Sequence, residues 1–192
     1  MSTTTELAKK LMTSDDLFAM RPSKKVDRWL FRGELRESKV TKRNPSHSAT
    51  VISAGAILFN WLRTQPQPRA RVYGGEAYFR IRQDPETNVG IDVALSTPDQ
   101  KVTTEKRASF VDGPPVIAVE VLSPYDKVKD IGEAIEEYLD CGVARVWIID
   151  PYSETLTVYR SGHEPVFHSL SDEFSGDDAL PGLKFKIAEL FE

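Results

Sequence analysis

Cysteine is all but missing: Cys141 is the one thiol in 192 residues. A lone thiol cannot build an internal disulfide framework, so the core must hold the fold, and a reducing compartment suits it. No stretch approaches the roughly 18 consecutive apolar residues that a spanning helix requires. The first residues, Met1 to Glu6, carry neither the basic start nor the apolar run of a secretory leader. These absences predict a cytoplasmic protein with no membrane partner. Three ligand signatures are missing as well: G-x-x-x-x-G-K-[ST], G-x-G-x-x-G after a strand, and C-x-x-C. Their absence argues against a P-loop, a dinucleotide fold and a cysteine zinc site. Cys141 has no adjacent histidine and precedes Gly142 at a helix end, so a packing role is expected for it.

What is present describes one ordinary globular unit. With 40% hydrophobic and 28% charged residues, a chain of this length fills one core and is short for two. Residues 1–24 read as a lead-in whose apolar points are Leu7, Leu11, Leu17 and Phe18, and residues 25–192 as a single domain. The net charge of −4 argues against a chain dedicated to coating nucleic acid, but it is unevenly spread. Nine Lys and Arg against three acids give residues 21–43 about +6, whereas residues 164–192 carry about −5. A basic lip that includes Lys24, Lys25, Lys42 and Arg43 suits a polyanion that is visited and released.

The hydrophobic period divides the chain into elements. Trp29-Leu30-Phe31 reads as a short strand running into Gly33-Glu34-Leu35. Asn44-Pro45-Ser46-His47 has the residue types of a helix start, and Val51, Ile52, Leu58, Phe59 and Leu62 follow at helical spacing until about Arg63. Residues 71–82 and 89–95 predict two strands joined by a turn at 84–88. Residues 99–112 are polar and read as an exposed loop, with room for a short helix. Residues 115–122 are apolar enough for a strand buried on both faces. A helix over 126–140, stopped by Gly142, leads to a second buried strand at 145–149. Strand, helix, strand implies a parallel crossover at the centre of the sheet. Further strands at 155–160 and 166–170 and a closing helix at 187–191 complete a mixed sheet flanked by helices.

Two acids stand where acids are costly. In Val89 to Leu95 the odd positions are bulky and apolar, which turns Asp92 to the opposite face, between Gly90 and Ala94. Glu120 interrupts the apolar run Val116 to Leu122. An unpaired ionised carboxylate in such a strand costs several kcal/mol unless something compensates it. A basic partner or a divalent cation would do so. Two carboxylates with water suit Mg²⁺ or Mn²⁺, which can acidify a bound water and stabilise charge growing on a phosphoryl oxygen.

The segments Gly90-Ile91-Asp92-Val93-Ala94, Val119-Glu120-Val121-Leu122-Ser123-Pro124, Glu137-Tyr138-x-x-x-Gly142-Val143 and Val146 to Pro151 resemble the Uma2 family of the PD-(D/E)XK nuclease superfamily. The likeness extends to Gly33-Glu34-Leu35, His47, Leu180-Pro181-Gly182-Leu183 and Leu190-Phe191, so it covers roughly residues 25–192. It implies an α/β, restriction-endonuclease-like fold, and an endonuclease that cuts DNA phosphodiester bonds with water activated at a Mg²⁺ or Mn²⁺ site. By this resemblance Asp92 and Glu120 are metal ligands, Glu34 is the third candidate ligand, and His47 orients the site. A homodimer is the implied assembly. The superfamily lysine two residues past Glu120 is replaced by Leu122. The alternative helix position, in a run shaped like Gly-Glu-Lys, is Gly132-Glu133-Ala134 here. Lys127 and Lys129, near the helix start, become the candidates for the missing ammonium. The same gap leaves open an impaired nuclease that acts as a nucleic-acid or protein binding module.

Overall fold

The structure, a computed structural model, describes residues 11–39, 44–105 and 108–192. Its frame is a ten-stranded mixed sheet, built from β1 (Val26–Phe31), β2 (Glu34–Lys39), β3 (Val72–Gln83), β4 (Glu86–Leu95), β5 (Val102–Glu105), β6 (Ala108–Asp112), β7 (Ile117–Val121), β8 (Arg145–Asp150), β9 (Thr155–Tyr159) and β10 (Val166–His168). The order is β10-β9-β8-β7-β4-β3-β6-β5, with the β1–β2 hairpin attached to β4 through Leu30 opposite Asn88. A short hairpin, β11 (Glu173–Ser175) with β12 (Lys184–Lys186), stands apart, and the 3₁₀ turn Ile187–Leu190 follows it. Three helices, α1 (Ser14–Ala19), α2 (Pro45–Thr64) and α3 (Val128–Asp140), complete the described elements.

The expected crossover from β7 through α3 to the parallel strand β8 is present and central. It places α3 on one face of the sheet, where Ile135 and Tyr138 bury against Phe79, Ile91, Val146 and Ile148. The other face is covered by α2, whose Ala54, Leu58 and Leu62 meet Val93, Leu95, Val119 and Trp147. Here the final hairpin joins in, with Phe174 and Phe185 packed on Trp147. Helix α2 begins as its sequence asks: Asn44 accepts a hydrogen bond from the His47 N–H at 2.8 Å, and Pro45 occupies the first turn.

Three parts differ from the sequence expectation. Residues 34–39 form β2 and not a continuation, because Arg32 and Gly33 both take positive φ (50° and 74°) and reverse the chain in two residues. The stretch read as an exposed loop holds β5 and β6, which extend the sheet beyond β3. Its polar sequence is that of an edge, where one face and one backbone side meet water. The three-residue strands β11 and β12 are too short to impose a period.

Helix α3 is fastened by a buried acid. Glu137, 1% exposed, accepts hydrogen bonds from Arg82 Nε (2.8 Å), Arg32 Nε (2.6 Å) and the Thr87 hydroxyl (2.6 Å). One carboxylate thereby ties the helix to β3, to β4 and to the turn of the β1–β2 hairpin. Burial pushes this carboxyl up, but the hydrogen bonds from Arg82, Thr87 and Arg32 outweigh it and hold it at about 2. A depressed carboxyl stabilises the fold above its unfolded pKa, and that contribution disappears as pH falls through the folded value. Chemical denaturation should therefore show Glu137→Gln less stable by about 3 kcal/mol at pH 7, with the gap from wild type closing between pH 4.5 and 2. A gap independent of pH would contradict this account of Glu137.

Candidate active site

The antiparallel register of β4 and β7 runs Leu95 to Ile117, Ala94 to Ala118 and Val93 to Val119. Just past the last pair stand Asp92 on β4 and Glu120 on β7, close enough that the Asp92 charge raises the Glu120 carboxyl. Like charges brought this near repel, and one of them is pushed toward its neutral form. Two features allow the arrangement. Asp92 Oδ2 accepts the Val121 N–H at 3.0 Å, just where the ladder pairs end. Opposite Asp92 on its other flank, β3 bulges between Gly74 and Ala77, a device that re-aims strands beside functional sites. The bulged Glu76 comes so close to Gly90 that a Cβ there would sit 3.3 Å from the Glu76 carbonyl oxygen. This close approach accounts for the glycine two residues before Asp92.

Asp92 is buried, at 6% exposure, and Glu120 is half-buried. Burial, reinforced by the nearby Asp92 carboxylate, pushes the Glu120 carboxyl up to about 8, even though the Tyr138 hydroxyl donates to its Oε1 at 2.5 Å. On the other side of the pair, His47 Nε2 lies 3.4 Å from Asp92 Oδ2. The imidazole is 3% exposed, so its place in the first turn of α2 turns it inward onto Asp92.

Above the pair lies a cleft of about 710 Å³. The β1–β2 hairpin forms one wall and α3 with its preceding loop the other, and Arg36 Nη2 meets Glu133 at 3.4 Å from wall to wall. Lys127 lines the cleft as the N-cap residue of α3, as do Leu122 and Ala134. Lys129 points elsewhere, 83% exposed and 3.6 Å from Glu133. Glu34 is exposed beside the hairpin turn and does not line the cleft. Lys24 and Lys25 are exposed just before β1, while Lys42 and Arg43 lie outside the described residues. Tyr138 escaped the sequence reading as a site residue. It belongs to the quoted Glu137-Tyr138-x-x-x-Gly142-Val143 pattern, whose other members hold the helix in place. Gly142 at φ 94°, with its N–H to Leu139 and that of Val143 to Tyr138, closes the C-terminus of α3.

Among the described residues no three His, Cys, Asp or Glu side chains converge on one point, which fits no closed structural metal site. The donor set is instead two neighbouring carboxylates, Asp92 and Glu120. That set fits a hard divalent cation which keeps most of its waters and takes one or two carboxylates. Without a cation, the raised Glu120 carboxyl makes the fold hold a proton that the unfolded chain releases. Stability should then fall as pH rises from about 4.5 to about 8. In chelator, Glu120→Gln should remove that slope and exceed wild type by on the order of 2 kcal/mol at pH 8. Parallel pH profiles for the two proteins in urea would overturn this assignment.

The chain resembles known proteins over nearly its whole length. A crystal structure of a putative nuclease from Anabaena variabilis superposes with a TM-score of 0.74 and 18% sequence identity, over 92% of this chain and 96% of that one. No curated protein matches the chain at a significant level. The model of the Uma2 family, described as "putative restriction endonuclease", matches residues 14–188, a span that includes every residue of the site above. Matched over that span, the chain belongs to the Uma2 family.

Proposed function

We propose that the protein is a metal-dependent endonuclease acting on DNA, with Asp92 and Glu120 holding Mg²⁺ or Mn²⁺. The observation that carries the reading is the pair itself, two acids near enough for the Asp92 charge to raise the Glu120 carboxyl, an arrangement that a divalent cation would relieve. When bound, such an ion lowers the pKa of a coordinated water and stabilises charge on the phosphoryl oxygens. The chain's own residues supply the rest. The Val121 N–H and His47 orient Asp92, and the Tyr138 hydroxyl orients Glu120. Lys127 stands on the cleft wall, where an ammonium could approach a phosphate or the attacking water. Lys24 and Lys25, with Lys42 and Arg43, are assigned to the DNA backbone through the charge they give residues 21–43.

A second reading, a nuclease fold with little turnover, is favoured by one observation: Leu122 and Ala134, the two lysine positions the family resemblance predicts, both line the cleft without an amine. The two readings separate experimentally. Calorimetry on wild type should give Mn²⁺ binding that strengthens between pH 6 and 8, because the ion must displace the Glu120 proton. Asp92→Ala should abolish it and reduce DNA cleavage at least 100-fold. Loss of Mn²⁺ binding without any loss of cleavage would sink the metal-dependent reading. Ala134→Lys should raise cleavage at least ten-fold if the missing amine limits turnover. An unchanged rate would leave the task with Lys127, whose alanine variant should then be inert.

A further inference from the structure

The cleft's shape and chemistry match an unpaired nucleotide better than a double helix. Its volume of about 710 Å³ is that of a small-molecule site. A duplex, whose major groove alone is roughly 12 Å wide, brings two phosphate strands together with a condensed charge. Here the two walls touch, Arg36 of the hairpin against Glu133 of α3, and Arg32 of the same hairpin is held by Glu137. The two acids therefore line a cleft whose walls are tied together, and not an open groove.

The lining has the wrong charge for a duplex and the right faces for a base. Among the described lining residues, carboxylates outnumber the cations Arg28, Arg36 and Lys127. Arg28 is engaged by Glu37 at 2.7 Å. Such a wall can accommodate the one phosphate that meets the metal and Lys127, but not a run of them. Stacking platforms stand on both sides. Tyr125, in the turn where Ser123 and Asp126 hydrogen-bond to each other, is 78% exposed. Across from it, the Arg36 guanidinium lies 5.1 Å from the Phe31 ring centroid, a flat cationic surface of the kind on which bases stack.

From this we infer that the site takes single-stranded nucleic acid, with one base placed between Tyr125 and the Arg36–Phe31 stack so that its flanking phosphate reaches the metal that Asp92 and Glu120 would hold. The inference rests on the nuclease reading above. It is tested on the full chain by fluorescence anisotropy in Ca²⁺, with a single-stranded DNA 12-mer and the blunt duplex of the same sequence. The single strand should bind at least ten-fold tighter. Tyr125→Ala should weaken it about ten-fold, as loss of one stacking contact does, while Tyr125→Phe keeps wild-type affinity. Tyr125 is exposed, so neither change threatens the fold. Duplex bound as tightly as single strand, or Tyr125→Ala without effect, overturns this inference and leaves the nuclease reading intact. Binding of neither DNA overturns both.

Discussion

Two carboxylates stand close together on adjacent strands, and much of the local architecture answers to their repulsion. Such a pair is costly to a fold held by packing alone, since one member is driven toward its neutral form. Each acid has its own neighbours: the Val121 N–H donates to Asp92 and His47 Nε2 lies 3.4 Å from it, while the Tyr138 hydroxyl donates to Glu120. Local rules broken in this way, with compensation supplied from three separate elements, are what functional sites look like in an otherwise consistent fold.

Helix α3 connects stability to the site through two adjacent residues. Glu137 reaches across to Arg32, Arg82 and Thr87, while Tyr138 turns inward to Glu120. The first contact sets where the helix and the hairpin wall stand, and the second transmits that position to the acid. Damage to the ion-pair cluster is therefore felt at the carboxylates, although Glu137 touches neither. The side of the sheet under α2 contributes by a different route, with the inward histidine of its first turn meeting the buried acid at 3.4 Å.

Much of this was legible in the residues. Asp92 and Glu120 stand out because each interrupts an apolar strand, and the crossover of 115–149 follows from period and length. Their proximity was not legible, because antiparallel pairing between strands 22 residues apart in the chain (Leu95 to Ile117) depends on everything packed between them. Tyr138 and Glu137 were hidden for another reason. In a helix both read as ordinary amphipathic positions, and only the third dimension separates an acid on three donors from one in water. Edge strands β2 and β5 escaped because an edge needs little hydrophobicity, so polar composition cannot tell it from a loop.

The two acids also come from different parts of the chain's wiring. Asp92 lies in the β3–β4 hairpin, and Glu120 with Tyr138 in the β7–α3–β8 crossover. The pair therefore exists only where those two units are joined along β4 and β7. A proton on Glu120, or a cation shared by both acids, would lessen the repulsion at that seam, so the charge state of the site is also a term in how firmly the two units are joined.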